Sequence, residues 1–178
     1  METALIVSSF ALWIFSLFNL LLTLALIRKV NNLHTVGLNN AMSEPTLEPG
    51  EHAPNFTAQT LDGRTTTLED YRNRVVAFIF VSVLCKPCKE KLPSLKELQP
   101  KAKQLGVELV VVSLDDKEKT WEFLEKMNLN LSVLIAPISE NSFMDDYKVR
   151  GTPFYCRINR EGKVQSAGFL DNWATALT

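Results

Sequence analysis

Two cysteines with two residues between them, in the run Cys85-Lys86-Pro87-Cys88, are the part of this sequence best suited to chemistry. A thiol pair at that spacing can close into a disulfide and reopen, so its natural reaction is thiol–disulfide exchange. What surrounds the pair decides how it is read. The β-branched, apolar run at 75–83 (VVAFIFVSV) predicts a strand buried on both faces. After it, Leu92, Leu95, Leu98 and Leu105 keep helical spacing as far as Gly106, a natural helix stop. Cys85 would then open a helix, where unpaired N–H groups and the macrodipole favour a thiolate. Lys86 and Lys89 add positive charge nearby, and Pro87 loses nothing in a first turn, where its missing N–H has no partner. Cys88, one turn in, faces the same side and can close a ring after Cys85 attacks. On the residues alone, a static structural disulfide and half of a metal site stay open as alternatives.

A second marker is Gly151-Thr152-Pro153, which opens an expected strand at 154–159. A proline there fits a cis peptide bond in a turn beside the cysteine pair, the alternative being an ordinary trans proline that ends a loop. The third cysteine, Cys156, lies inside that strand and reads as a small buried hydrophobe, with a redox or partner-binding role as its alternative.

The elements that must position these residues follow from periodicity and turn signals. Residues 56–61 and 65–68 flank Asp62-Gly63 as a hairpin, and 107–114 is a second buried strand. Asp115-Asp116 caps a helix at 117–127, 131–136 is a third strand, and 139–147 is a short helix. Residues 154–159 and 163–167 flank the turn 159–162 as a terminal hairpin. Strands alternating with helices imply right-handed crossovers, hence an α/β domain with a largely parallel sheet closed on one side by an antiparallel hairpin. The net charge is −1, from 19 basic and 20 acidic residues, and no basic patch carries interleaved aromatics, so nucleic acid is not an expected partner. His34 precedes the folded domain and His52 stands at its entry, both upstream of the cysteines, and no His/Cys cluster has ligand spacing; no metal and no cofactor is expected.

Residues 54–168 resemble the redoxin or TlpA-like branch of the thioredoxin superfamily. The matching motifs are Gly50-Glu51-His52-Ala53-Pro54-Asn55-Phe56, Leu61-Asp62-Gly63, the Cys-x-Pro-Cys pair, Pro93 as a helix-kinking proline, and Gly151-Thr152-Pro153. The resemblance implies a thioredoxin fold with a mixed sheet and an inserted βα unit at about 107–127. It also implies Cys85, Cys88 and Pro153 as the catalytic set, supported by Lys86, Pro87 and Thr152. The function it implies is a thiol–disulfide oxidoreductase acting on client proteins with cysteines. Leu84 departs from relatives that place a Trp before the first cysteine, and the buried acid that aids the second cysteine in many thioredoxins has only Glu90 as a candidate. Two alternatives share the fold. A thiol peroxidase needs Pro-x-x-x-Thr-x-x-Cys, where this chain has Phe78 and Ser82, and a copper-chaperone-like module needs a histidine downstream. The direction of electron flow stays open, since Pro87 leans towards reduction and Lys86 towards oxidation.

Residues 4–27 carry no charged side chain and exceed the roughly 20 residues that span a bilayer's hydrocarbon core as a helix. They predict a single transmembrane helix, retained because Arg28-Lys29 follows directly and no small-residue cleavage site does. Residues 28–50 read as a juxtamembrane tether and 51–178 as the thioredoxin-like domain. Residues 26–37 are similar to the MauD family of methylamine-utilisation accessory proteins, which are anchored and thioredoxin-like. Arg28-Lys29 alone would hold the domain in the cytoplasm. The resemblance implies the outer side, with a membrane redox partner, and an extracytoplasmic domain on a single-pass anchor is the expectation.

Overall fold

The computed structural model describes residues 12, 13, 15–21, 23, 46–127 and 131–170. The chain divides into two units, Met1–Glu44 and Pro45–Thr178. In the first, the described residues are helical, and two polar side chains of the predicted span turn back onto their own backbone. Asn19 Nδ2 donates to the Phe15 carbonyl at 3.2 Å, and Thr23 Oγ1 to the Asn19 carbonyl at 2.8 Å. Among the described residues no helix is long and apolar enough to cross a membrane, and most of the predicted span 4–27 and tether 28–50 lies outside them.

The second unit is built on a seven-stranded sheet. Its strands are β1 (Thr57–Thr60), β2 (Thr65–Thr67), β3 (Val75–Val81), β4 (Val107–Ser113), β5 (Ser132–Ile135), β6 (Phe154–Ile158) and β7 (Val164–Phe169), in the order β2-β1-β5-β4-β3-β6-β7. β3, β4 and β5 run parallel, while β1 joins β5, and β6 joins β3, antiparallel. The early hairpin therefore closes one edge and the late hairpin the other. The parallel connections carry α1 (Lys86–Lys91) and α2 (Leu95–Gln104), then α3 (Lys117–Met127); α4 (Phe143–Asp146) precedes β6.

The apolar run of β3 is what places it mid-sheet, because alternate residues must be covered on both sides. Val76, Phe78 and Phe80 enter one core with Phe56, Tyr71, Phe143 and Tyr147, while Ala77, Ile79 and Val81 enter the other with Cys88, Leu92, Leu95 and Phe123. Phe78 stands edge-on to four rings, those of Phe56, Tyr71, Phe143 and Tyr147, at 5.2 to 6.1 Å. Tyr147 satisfies its hydroxyl on the Pro54 carbonyl at 3.0 Å, and burial pushes its pKa up.

Three expectations need correction, and one is met. The predicted helix 139–147 shrinks to Phe143–Asp146, because Asn141 is pulled aside: its Nδ2 donates to the Thr57 carbonyl at 2.7 Å and its Oδ1 accepts from Phe143 N–H at 2.9 Å. The helix that opens after Cys85 does kink at Pro93, as the resemblance implies: a 3-10 turn at Leu92–Ser94 interrupts it, because Pro93 has no N–H to continue the ladder. It still ends at Gly106, whose φ of 70° suits a residue without a Cβ. Of the two proposed caps only Asp116 caps α3, accepting from Lys119 N–H at 2.9 Å; Asp115 is occupied elsewhere. Finally, residues 46–50 belong to the domain rather than the tether. Leu47 is buried in the first core, and Gly50 N–H donates to the Val164 carbonyl at 2.8 Å.

Phe78→Ala should lower unfolding free energy by about 3–5 kcal/mol, since a large ring is lost from a packed aromatic cluster. Urea denaturation followed by tryptophan fluorescence measures this, and a loss under about 1 kcal/mol would contradict the central place given to Phe78.

Candidate active site

The β3–α1 connection sets the site. Where β3 ends, the backbone of residues 82–85 is fixed bond by bond. Val83 N–H donates to Asp115 Oδ2 at 2.7 Å, Leu84 N–H to Ser82 Oγ at 3.3 Å, and Cys85 N–H to the Ser82 carbonyl at 3.1 Å. The neighbouring strand adds Leu114 N–H donating to the Val81 carbonyl at 3.0 Å. Cys85 then takes the cap position of α1 with extended backbone angles, and its Sγ accepts from Cys88 N–H at 3.1 Å. A serine or aspartate oxygen usually fills that place. Here a sulfur does, and a thiolate would accept the same bond more strongly, because charge-assisted hydrogen bonds exceed neutral ones.

Cys85 and Cys88 are joined as a disulfide, with Cα atoms 5.2 Å apart. The two sulfurs are not equivalent. Cys85 is half-buried and borders solvent, whereas Cys88 is fully covered by the second core. The Thr152–Pro153 bond is cis, as expected, and Thr152 O lies 3.2 Å from Cys85 Sγ across 67 positions of sequence. The structure thus brings together Cys85, Cys88, Thr152 and Pro153. Lys86 and Pro87 are exposed beside them on the first turn of α1, with Lys86 Nζ 4.0 Å from Glu90. Glu90 is exposed on that helix and not the buried acid sought by sequence. Leu84 stands 84% exposed immediately before Cys85, leaving an aliphatic side chain rather than a ring at the rim.

Several residues of the site were not singled out from sequence. Asp115 turns from the helix it precedes towards Val83; an acid directly after a strand was visible, but not its choice between two duties. Lys91 Nζ donates to the Leu170 carbonyl at 2.8 Å, and Leu170 N–H donates to the Pro153 carbonyl at 3.0 Å. Nothing in the spacing pairs a helix lysine with a residue 79 positions away. Phe169 packs its ring against Gly151, so closely that a Cβ there would stand 3.2 Å from the ring edge.

Cys156 is not part of the site. It lies in the first core, on the opposite face of the sheet from Cys88, and burial pushes its thiol up to about 12. Among the described residues no group of three or more His, Cys, Asp or Glu side chains could hold a metal ion. The peroxidase position held by Phe78 is wholly buried in β3 and contributes no group to the site.

The AhpC/TSA family model matches residues 49–167. The thiol-disulfide oxidoreductase ResA of Bacillus thuringiensis subsp. konkukian is 32% identical over 122 residues, covering 68% of this chain and 69% of ResA. Among solved structures, the Chlorobium tepidum protein assigned as thiol:disulfide interchange protein DsbE has TM-score 0.63 and 28% identity, covering 74% of this chain and 92% of its own. The Bacteroides thetaiotaomicron protein assigned as a protein disulfide isomerase has TM-score 0.64 and 26% identity, covering 74% and 86%.

Cys156 should be chemically silent while the domain is folded. In reduced protein at neutral pH, an alkylating reagent should take Cys85 and spare Cys156 until urea is added, as mass spectrometry of the peptides reads out. Raised from an ordinary 9.0 to about 12, the Cys156 thiol favours folding while it stays protonated. That contribution is complete below the unfolded pKa and lost as pH climbs from about 9 towards about 12. Rapid labelling of Cys156 without denaturant would contradict this placement.

Proposed function

The chain belongs to the AhpC/TSA family and is a thiol–disulfide oxidoreductase related to ResA and DsbE, and on that footing we propose that it is membrane-anchored and exchanges disulfides with exported client proteins through Cys85 and Cys88. The observation that carries the reading is the asymmetry of the pair. Cys85 borders solvent and is capped by the Cys88 N–H, while Cys88 is buried behind it. In the reducing direction the Cys85 thiolate attacks a client disulfide. A Cys85–client S–S bond forms, and the second client sulfur leaves with the electron pair of the broken bond. The Cys88 thiolate then attacks Cys85 Sγ, closing the internal disulfide and releasing the client as a dithiol, so two electrons pass to the client. Run backwards, the same steps oxidise a client dithiol. Recharging the pair in either direction falls to a membrane redox partner with its own dithiol or disulfide.

Cys88→Ser should therefore trap mixed disulfides with clients, visible as reductant-sensitive adducts on gels, and Cys85→Ser should trap none. Adducts formed only by the Cys85 variant would reverse the two roles. The full chain should consume no hydrogen peroxide beyond simple thiol oxidation.

Anchoring rests on the uncharged stretch 4–27, on the exposed apolar side chains of its described residues such as Leu12, Trp13 and Phe18, and on the MauD-like pattern at 26–37. The chemistry favours a domain outside the cytoplasmic membrane, because a dithiol couple meets persistent protein disulfides there. Intact cells, first reduced and then treated with a membrane-impermeant thiol reagent, should show Cys85 labelled. Labelling that needs a broken membrane would put the domain inside, where Arg28-Lys29 alone would hold it.

A further inference from the structure

A line of hydrogen bonds runs behind the cysteine pair, and its donors and acceptors follow from the geometry. Val83 N–H donates to Asp115 Oδ2 at 2.7 Å, and Asp115 N–H to Ser113 Oγ at 3.4 Å. Ser113 and Thr120 are both buried, and their hydroxyls meet at 2.6 Å. Thr120 Oγ1 also donates to the Asp116 carbonyl at 2.7 Å. A hydroxyl has one proton, so Ser113 must be the donor to Thr120. The line therefore runs one way, from an N–H two residues ahead of Cys85 to the first turn of α3. Its one charged side chain is that of Asp115. Capping of α3 falls to Asp116, so Asp115 is not needed there. Its carboxylate reaches instead for the segment that carries the reacting sulfur, and a bond to a charged acceptor is about twice as strong as a neutral one. That segment must set Cys85 Sγ at the cap of α1, 3.1 Å from the Cys88 nitrogen. Val83 and Cys85 both pack against the second core, so the placement of one constrains the other.

We propose that Asp115 is a positioning residue for Cys85: by holding Val83 N–H it keeps Cys85 Sγ at the α1 cap, where Cys88 N–H supports the thiolate. Its part in catalysis rests on the exchange reading above. In the step concerned, the Cys85 thiolate attacks a client disulfide. The Cys85–client bond forms, and the second client sulfur leaves with the electron pair of the broken bond. Asp115 assists this step against its own charge, since a neighbouring carboxylate opposes a thiolate. Charge and bond thus act with opposite signs and are separable. Losing the charge eases ionisation of Cys85, and losing the bond hinders it. The other charged side chains on the elements that meet at Cys85 are Lys86, Lys89, Glu90 and Lys91 on α1, Asp116 before α3 and Arg150 ahead of the cis turn. All of them stay in place in the variants below.

The test uses the full chain carrying Cys156→Ala. With Cys88→Ser added, which keeps the N–H of that residue, thiolate absorbance against pH reads Cys85 alone. Asp115→Ala and Asp115→Leu, which lack an acceptor, should raise its ionisation by about one unit, the scale of one hydrogen bond to a charged sulfur. Asp115→Asn drops the charge but keeps an acceptor oxygen, and should leave the ionisation at the parent value or below it. With Cys88 restored, attack on a client disulfide near neutral pH should slow about threefold in the Ala and Leu variants, because the lost thiolate is partly offset by a more nucleophilic sulfur. Their rates should recover as pH rises, and the Asn variant should regain the parent rate. If the Ala or Leu variant ionises at or below the parent value, the bond does not position Cys85 and the proposal is wrong. An Asn variant that ionises about one unit above the parent overturns it equally, even where Ala and Leu fail to fold. Should the parent itself fail to exchange disulfides, the exchange reading falls, while the titration still judges Asp115.

Discussion

The hydrogen bond from Cys88 N–H to Cys85 Sγ is the contact on which the site turns. It asks one sulfur to be both a helix cap and a reacting atom, so Cys85 must lie at the first turn of α1 with its outer side open. That geometry leaves the segment between β3 and α1 little freedom. Ser82 and Asp115 take up its N–H groups in turn, and the bond from Leu114 to Val81 ties the ends of β3 and β4 together. A cap so short depends on a strand that does not shift. β3 meets that need by being buried on both faces and paired along its length to β4 on one side and β6 on the other.

The same strand divides the molecule into two cores with different duties. One holds the aromatic cluster around Phe78 and seals the domain with Leu47, Phe56 and Val164. The other holds α1, α2 and α3 and encloses Cys88. Stacked rings such as Phe56 and Phe143, 4.0 Å apart, lie on the side away from the chemistry. The face that carries the cysteine pair is lined largely by aliphatic side chains, whose branched shapes pack closely around a sulfur atom.

Much of this was legible in the sequence because it is local. The Cys85-Lys86-Pro87-Cys88 run after VVAFIFVSV, the Gly151-Thr152-Pro153 turn and the Gly106 stop each encode a short-range backbone preference, and each lies where expected. What was missed is what depends on partners far along the chain. Asp115 and Asp116 are alike in type and adjacent, and only the approach of Val83 distinguishes them. Residues 139–142 have the composition of a helix start, but the reach of Asn141 across to β1 overrules it. Leu47 appeared to be tether because one apolar residue among polar ones has no periodicity to betray it. Lys91 lies in a lysine-rich helix, and its bond to the Leu170 carbonyl, 79 positions away, leaves no trace in the local spacing.

Because Cys156 and Cys88 lie on opposite faces of the sheet, the fold also acts as a proofreader of its own oxidation. Three cysteines permit three pairings, and two of them would join Cys156 to a sulfur it cannot reach once β6 is seated between β3 and β7. The correct pair needs only a short loop closed at the head of a helix, and so can form at any stage of assembly. The wrong pairs can form only before β6 docks. An oxidant that acts before β6 docks is thus the hazard, whereas one that meets the folded domain finds Cys156 already sealed away.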